Sequence, residues 1–310
     1  MSALGPSTVA ALCAPVGLLI GSFLNVVIWR VPRGESVMRP ASHCPNCQQP
    51  VRPLDNIPVL SWIMLRGRCR TCSTSIAWRY PAVELGCALL FAAVGARLHD
   101  SWALFGYLVL AAALLALSVI DIDHFLLPNR VIYPSAAIVV TLLAVASAAE
   151  GDWDSLGRAA LGAAIDFAIF FIIWFIAPSA MGFGDVRLAA LLGFALGWIS
   201  WPALWIGIFL PFLFGTVGGI AMAAPIVLLP MAAGALSGWL GGVGFIESIS
   251  GAEPVDPRQT QVMFAVAGAV FLGALVYLTL SILRRVERGR HIPFGPYLAV
   301  GAMAAVFALA

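Results

Sequence analysis

The sequence predicts an all-α polytopic membrane protein of 8–10 transmembrane helices with a small cytoplasmic zinc-binding loop domain. Three observations predict it. Hydrophobic residues make up 61% of the 310 positions and charged residues 10%, where a soluble domain carries about 25%. The apolar residues fall in continuous runs rather than alternating, which selects helices over a β-barrel. One polar stretch, 29–80, holds four cysteines in two close pairs.

The elements follow in order. Apolar runs lie at 8–28, 82–98, 101–120, 131–149, 157–178, 187–200, 202–229, 231–246, 261–283 and 293–310, and a span needs roughly 20 residues. The first run lacks a basic n-region and is long enough to cross, so it reads as a span rather than a cleaved signal. The sequence thus divides into a first transmembrane helix (1–28), the four-cysteine loop (29–80) and a transmembrane domain (81–310). Loop 29–80 carries eight of the 17 arginines against two acids, Glu35 and Asp55. Positive loops stay in the cytoplasm, so this loop lies inside. Alternation then puts 121–130 and 179–186 inside, with the acidic loop of Glu150, Asp152 and Asp154 outside. The basic run Arg284, Arg285, Arg288, Arg290 also belongs inside, which demands an odd number of crossings between 202 and 283. The polar stretch 251–260 reads as an external loop.

Composition also excludes some chemistry. A net charge of +2 gives no broad nucleic-acid surface. The chain has no lysine, so no lysine nucleophile or Schiff base. Cys13 and Cys87 stand alone in apolar runs and read as packing residues.

Topology brings two acids to one face. Asp121 ends the 101–120 run and Asp185 begins the 187–200 run, both on the cytoplasmic side. Facing carboxylates at a low-dielectric boundary cannot both ionise cheaply, so the pair shares a proton. Such a pair can hold a water between a base and an acid, which is aspartic-protease chemistry. Asp185 closes Gly182-Phe183-Gly184-Asp185, whose glycines allow a peptide substrate to approach. Asp123 competes with Asp121, but two residues on a helix turn a side chain by about 200°, so only one can face Asp185. Asp166 lies mid-span, half a membrane away, and is expected to find a hydroxyl or arginine partner inside the bundle.

Cys44-Pro-Asn-Cys47 and Cys69-Arg-Thr-Cys72 have the spacing of a four-thiolate zinc site. In the cytoplasm disulfides are disfavoured, and four sulfur ligands leave no open position, so the zinc would be structural. His43 reads as a bystander.

Several segments resemble the type IV prepilin peptidase family, within the wider group of GxGD intramembrane aspartic proteases. They are Gly21-Ser22-Phe23-Leu24-Asn25-Val26-Val27, Asp55-Asn56-Ile57-Pro58-Val59-Leu60-Ser61-Trp62, Arg79-Tyr80-Pro81-Ala82-Val83-Glu84, Ser118 to Asn129, Gly182 to Leu188, and Pro293-Phe294-Gly295-Pro296-Tyr297. The resemblance implies Asp121 and Asp185 as the catalytic pair. It implies cleavage of leader peptides from prepilins or pseudopilins at the cytoplasmic face of the bacterial inner membrane. It also implies N-methylation of the new N-terminus with S-adenosylmethionine. Asn25, Asp55, Asn56, Arg79 and Glu84 lie in the matched cytoplasmic region and are candidates for cofactor or leader binding. Arg187 stands where the family usually has Lys and Asn129 where Asp is frequent, while residues from about 225 to 262 look like an insertion. The partners expected are prepilin or pseudopilin substrates and membrane lipid, with no nucleic acid. Two other readings compete: an ion path through Asp166, Asp121 and Asp185, and a zinc-ribbon scaffold without chemistry, which leaves the GxGD segment unexplained.

Overall fold

The computed structural model describes residues 5–178, 181–221 and 294–309, with side chains to residue 213 in the second segment. The described residues form nine α-helices: α1 Pro6–Arg30, the short α2 Leu60–Met64, α3 Arg79–Arg97, α4 Leu104–His124, α5 Asn129–Glu150, α6 Trp153–Ile176, α7 Phe183–Ile199, α8 Trp201–Ala221 and α9 Gly295–Leu309. Five of them, α1 and α3 to α6, are long and apolar enough to cross a membrane. The first seven apolar runs and the last each correspond to one of these helices. The runs at 231–246 and 261–283, the loop 251–260 and the basic run 284–290 lie outside the described residues.

Lipid offers no hydrophobic drive between helices, so they associate by close packing. Gly17 and Gly21 let α1 lie against α3: a Cβ on either would stand 2.7 Å from Ala88 Cα or Glu84 Cα. Gly162, Gly193 and Gly197 form a tighter seam between α6 and α7, where Gly162 meets the Gly193 carbonyl. The start of α9 is seated by Phe294, whose ring lies 5.5 Å from Phe212 and 6.3 Å from Phe170.

One end of the bundle is fastened by polar contacts. Arg158 at the start of α6 donates to the Gly197, Trp198 and Ile199 carbonyls, covering the open C-terminus of α7. Asp152 caps α6 through the Ser155 N–H at 3.0 Å. Glu150 accepts from the Trp102 N–H and the Ser101 hydroxyl. Tyr107 donates to the Ala195 carbonyl at 2.5 Å, which ties the start of α4 to the end of α7 and fixes the two helices as antiparallel. The end of α4 and the start of α7 therefore meet at the opposite end of the bundle.

Candidate active site and metal centre

That opposite end brings Asp121 and Asp185 together. Asp121 sits in the last turn of α4 and is 5% exposed; Asp185 sits in the first turn of α7 and is 7% exposed. Leu127 links their surroundings, packing against Gly184 beside Asp185 and against Gly295, which touches Asp121. Each aspartate has one oxygen held by a backbone N–H. Gly295 donates to Asp121 Oδ2 at 2.8 Å, and Gly182 donates to Asp185 Oδ2 at 3.1 Å. The second bond is half of a helix capping box, since Asp185 is the third residue of α7 and reaches back to the residue before it.

Leu127 packs beside the pair, between Gly184 and Gly295. A Cβ on Gly184 would stand 2.9 Å from Leu127 Cβ, and one on Gly295 would stand 3.1 Å from Leu127 Cδ2 and 2.9 Å from Asp121 Oδ2. Both glycines thus have a packing reason, and the loop after α4 is wedged between the starts of α7 and α9. Phe125 makes the turn that aims it, with φ at 54°.

Asp123 points elsewhere. Its carboxylate is ion-paired with Arg79 from the start of α3, and the two side chains are 32% and 33% exposed. Arg187 and Asn129, the two departures from the family pattern, meet each other: the guanidinium donates to Asn129 Oδ1 at 2.6 Å and lies 4.6 Å from the centre of the Phe183 ring.

The other expected binding residues do not gather into one site. Asn25 donates to the Tyr80 carbonyl at 3.1 Å, and Glu84 accepts from the Val59 N–H at 2.7 Å, so both brace α1, α3 and the loop. Asp55 is held by Arg70 through contacts from 2.6 to 3.1 Å. That guanidinium keeps its carboxyl below the usual carboxylate range. Asn56 lines a cavity against α1.

Asp166 corrects an expectation. It is 2% exposed and packs on Gly193 in the α6–α7 seam, yet its Oδ1 finds no hydrogen-bond partner among the described residues. The nearest arginine along its helix, Arg158, is spent on the end of α7. Gly193 is eight residues beyond Asp185, about 12 Å deeper along the helix, so Asp166 does not join the pair.

The four loop cysteines converge, with their sulfurs all within 4.8 Å of one another. Cys44 and Cys72 sulfurs are 3.8 Å apart, and Cys47 and Cys69 sulfurs 4.0 Å. These are too long for disulfides and match the roughly 3.8 Å edge of a tetrahedron with 2.3 Å metal–sulfur bonds. The two halves repeat one local design. Each Cys-x-x-Cys turn is clasped by an antiparallel bridge, His43 with Pro50 and Arg68 with Ser75. Each turns back at a residue of positive φ, Gln48 at 58° and Ser73 at 57°, four residues after its first cysteine. Such a group can hold a metal ion.

A bundle of apolar helices with two buried aspartates at one end has the architecture expected of a multi-pass membrane peptidase. Comparison with known proteins agrees. The model of the bacterial peptidase A24 N-terminal domain matches residues 16–98, and that of the type IV leader peptidase family matches 108–222. The chain belongs to the type IV leader peptidase family. It is 41% identical over 221 residues to the type 4 prepilin-like proteins leader peptide-processing enzyme of Escherichia coli O78:H11, covering 64% of this chain and 80% of that one. It is 37% identical over 236 residues to the prepilin leader peptidase/N-methyltransferase of Aeromonas hydrophila, covering 66% and 78%. Against the enzyme of that name from Neisseria gonorrhoeae it is 36% identical over 251 residues, covering 72% and 85%. No solved structure matches the chain.

Proposed function

We propose that Asp121 and Asp185 hydrolyse the leader-peptide bond of prepilins or pseudopilins at the cytoplasmic face of the bacterial inner membrane. What supports the pairing is the convergence of two buried carboxylates, each with one oxygen fixed by a glycine N–H. That leaves the second oxygen of each for one shared proton and one water. The ionised aspartate takes a proton from the water as its oxygen attacks the scissile carbonyl carbon, and the protonated one gives its proton to the carbonyl oxygen. Collapse of the tetrahedral intermediate breaks the C–N bond and returns a proton to the departing amine.

The Arg79–Asp123 pair supports the orientation, because it fastens the end of the arginine-rich loop beside the helix end that carries Asp121. With that loop in the cytoplasm, the pair faces the cytoplasm too. The metal in the loop is zinc on this reading, since four thiolates at tetrahedral spacing suit zinc and fold a segment too small for its own core.

The relatives' names carry the second activity, N-methylation of the new amino terminus. S-adenosylmethionine would supply the methyl group. The residues expected to bind it are mostly engaged elsewhere: Asp55 by Arg70, Arg79 by Asp123, Glu84 by Val59 and Asn25 by Tyr80. They do not fit a common cofactor site, and only the cleavage step is derived from this chain's residues. The test is cleavage of a prepilin-like substrate in detergent by wild type, Asp121→Asn, Asp185→Asn and Asp123→Asn. Loss with the first two alone supports the pair; full activity of either would end the assignment.

A further inference from the structure

A cavity of about 320 Å³ lies between α1 and the loop that follows it. Its helical wall is a single stripe of α1, with Leu19, Phe23, Val26 and Arg30 spaced three or four residues apart. From Leu19 to Arg30 the helix rises about 16 Å, so the wall runs from the end of the span well into it. The apolar part of the stripe is open: Leu19 is 65% and Phe23 51% exposed. The polar end is Arg30, which is 7% exposed and gives one hydrogen bond, to the Ser36 carbonyl at 3.0 Å.

Among the described residues Arg30 has no ion-pair partner. The ion pairs among the described residues belong to Arg70 and Arg79, and no acid lines the cavity. A guanidinium has five donors, and a charge drawn out of water without a partner is costly. The cavity thus offers an uncompensated cation at the head-group level and a greasy track beneath it. An anion with an apolar tail satisfies both. S-adenosylmethionine satisfies less, since Arg30 suits its carboxylate but its sulfonium and ammonium would meet no acid.

We propose that this cavity binds an anionic phospholipid of the loop-side leaflet, its phosphate on Arg30 and an acyl chain along Val26, Phe23 and Leu19. The proposal rests on the loop's place at the membrane face and is independent of the aspartate pair.

The full chain, purified in a mild non-ionic detergent, is examined by native mass spectrometry with phosphatidylglycerol or phosphatidylcholine added. The wild type is expected to retain phosphatidylglycerol at least about tenfold better than phosphatidylcholine. Arg30→Gln should erase that preference and Arg30→Lys keep part of it. Ala41→Trp fills the cavity from its exposed rim and leaves the α1–α3 contact alone, so it should block binding in a folded protein. Leader cleavage measured on the same preparations separates lost lipid from lost fold. Equal retention of both lipids by wild type, or undiminished phosphatidylglycerol on Arg30→Gln and Ala41→Trp, would overturn the proposal. So would displacement of the lipid by micromolar S-adenosylmethionine, which would hand the cavity to the methyl donor, or by inorganic phosphate at lipid concentration, which would remove the role of the apolar track.

Discussion

Replacing Gly295 with alanine tests the site most directly, because Gly295 touches Asp121 without entering the chemistry. Its N–H holds Asp121 Oδ2 at 2.8 Å. A Cβ there would stand 2.9 Å from that oxygen and 3.1 Å from Leu127 Cδ2. Ordinary contact begins near 3.4 Å, so one partner must yield by about half an ångström. Leu127 cannot take up all of it, since its Cβ is already wedged against Gly184. The carboxylate moves instead, and the backbone bond bends or breaks. A shift of 1 Å in a catalytic group costs about 100-fold, so a half-ångström shift with a weakened hydrogen bond should cost about 30- to 100-fold in kcat. That is about 2–3 kcal/mol of transition-state stabilisation. KM should hold within about twofold, because the change acts on the position of Asp121 rather than on uniform substrate binding. The assay is initial-rate cleavage of a leader-bearing prepilin-like substrate in detergent, with circular dichroism and metal content to establish folding. A folded Gly295→Ala enzyme cutting within about threefold of wild type would refute the reasoning that this N–H positions Asp121.

Four further expectations follow from the same geometry. Asp121→Asn and Asp185→Asn should each lower cleavage by at least about 10⁴-fold, as expected when a group that must change protonation no longer can, whereas Asp123→Asn, losing a partly exposed ion pair, should stay within about tenfold. Metal analysis should find about one zinc per chain, and Cys44→Ser should lose it and open the Arg66–Arg70 turn to trypsin; undiminished zinc would move the ligand set elsewhere. Asp166→Ala removes a buried oxygen with no partner among the described residues and should stabilise the chain by about 1–3 kcal/mol, read as a raised melting temperature with unchanged cleavage; a fall in cleavage would give Asp166 a part in the reaction. Asn129→Asp should turn the contact with Arg187 into a partly exposed ion pair worth about 0–1 kcal/mol, and a change in cleavage beyond about threefold would show that this contact bears on the pair.

Much of this arrangement is legible in the sequence, for a physical reason. Hydrophobic run length sets the helices, and alternation across a membrane sets which ends share a face. Asp121 and Asp185 are therefore placed together by counting, although 64 residues separate them. The cysteine spacing works the same way, since a short Cys-x-x-Cys turn leaves its sulfurs few places to go. What escapes is whatever depends on one backbone atom or one side chain's choice of partner. The Pro293–Tyr297 segment is recognisable as a motif, but nothing in its letters says that the Gly295 N–H reaches Asp121. Arg79 reads as a binding residue until its guanidinium is seen on Asp123. Asp166 reads as paired because an acid in lipid ought to be, and only the packing reveals that the neighbouring surface is glycine backbone.

The hydrogen bond from Gly295 to Asp121 spans 174 residues of chain. Ribosomes emit polypeptide from the N-terminus at about 5–20 residues per second, so Asp121 enters the membrane about 10–35 s before its last anchor is made. For the later part of that interval the nascent enzyme carries both acids without the contact that aims one of them. On the proposed pairing, proteolytic competence waits for the arrival of α9, and a chain released before it would be an inert passenger in the bilayer rather than a loose protease.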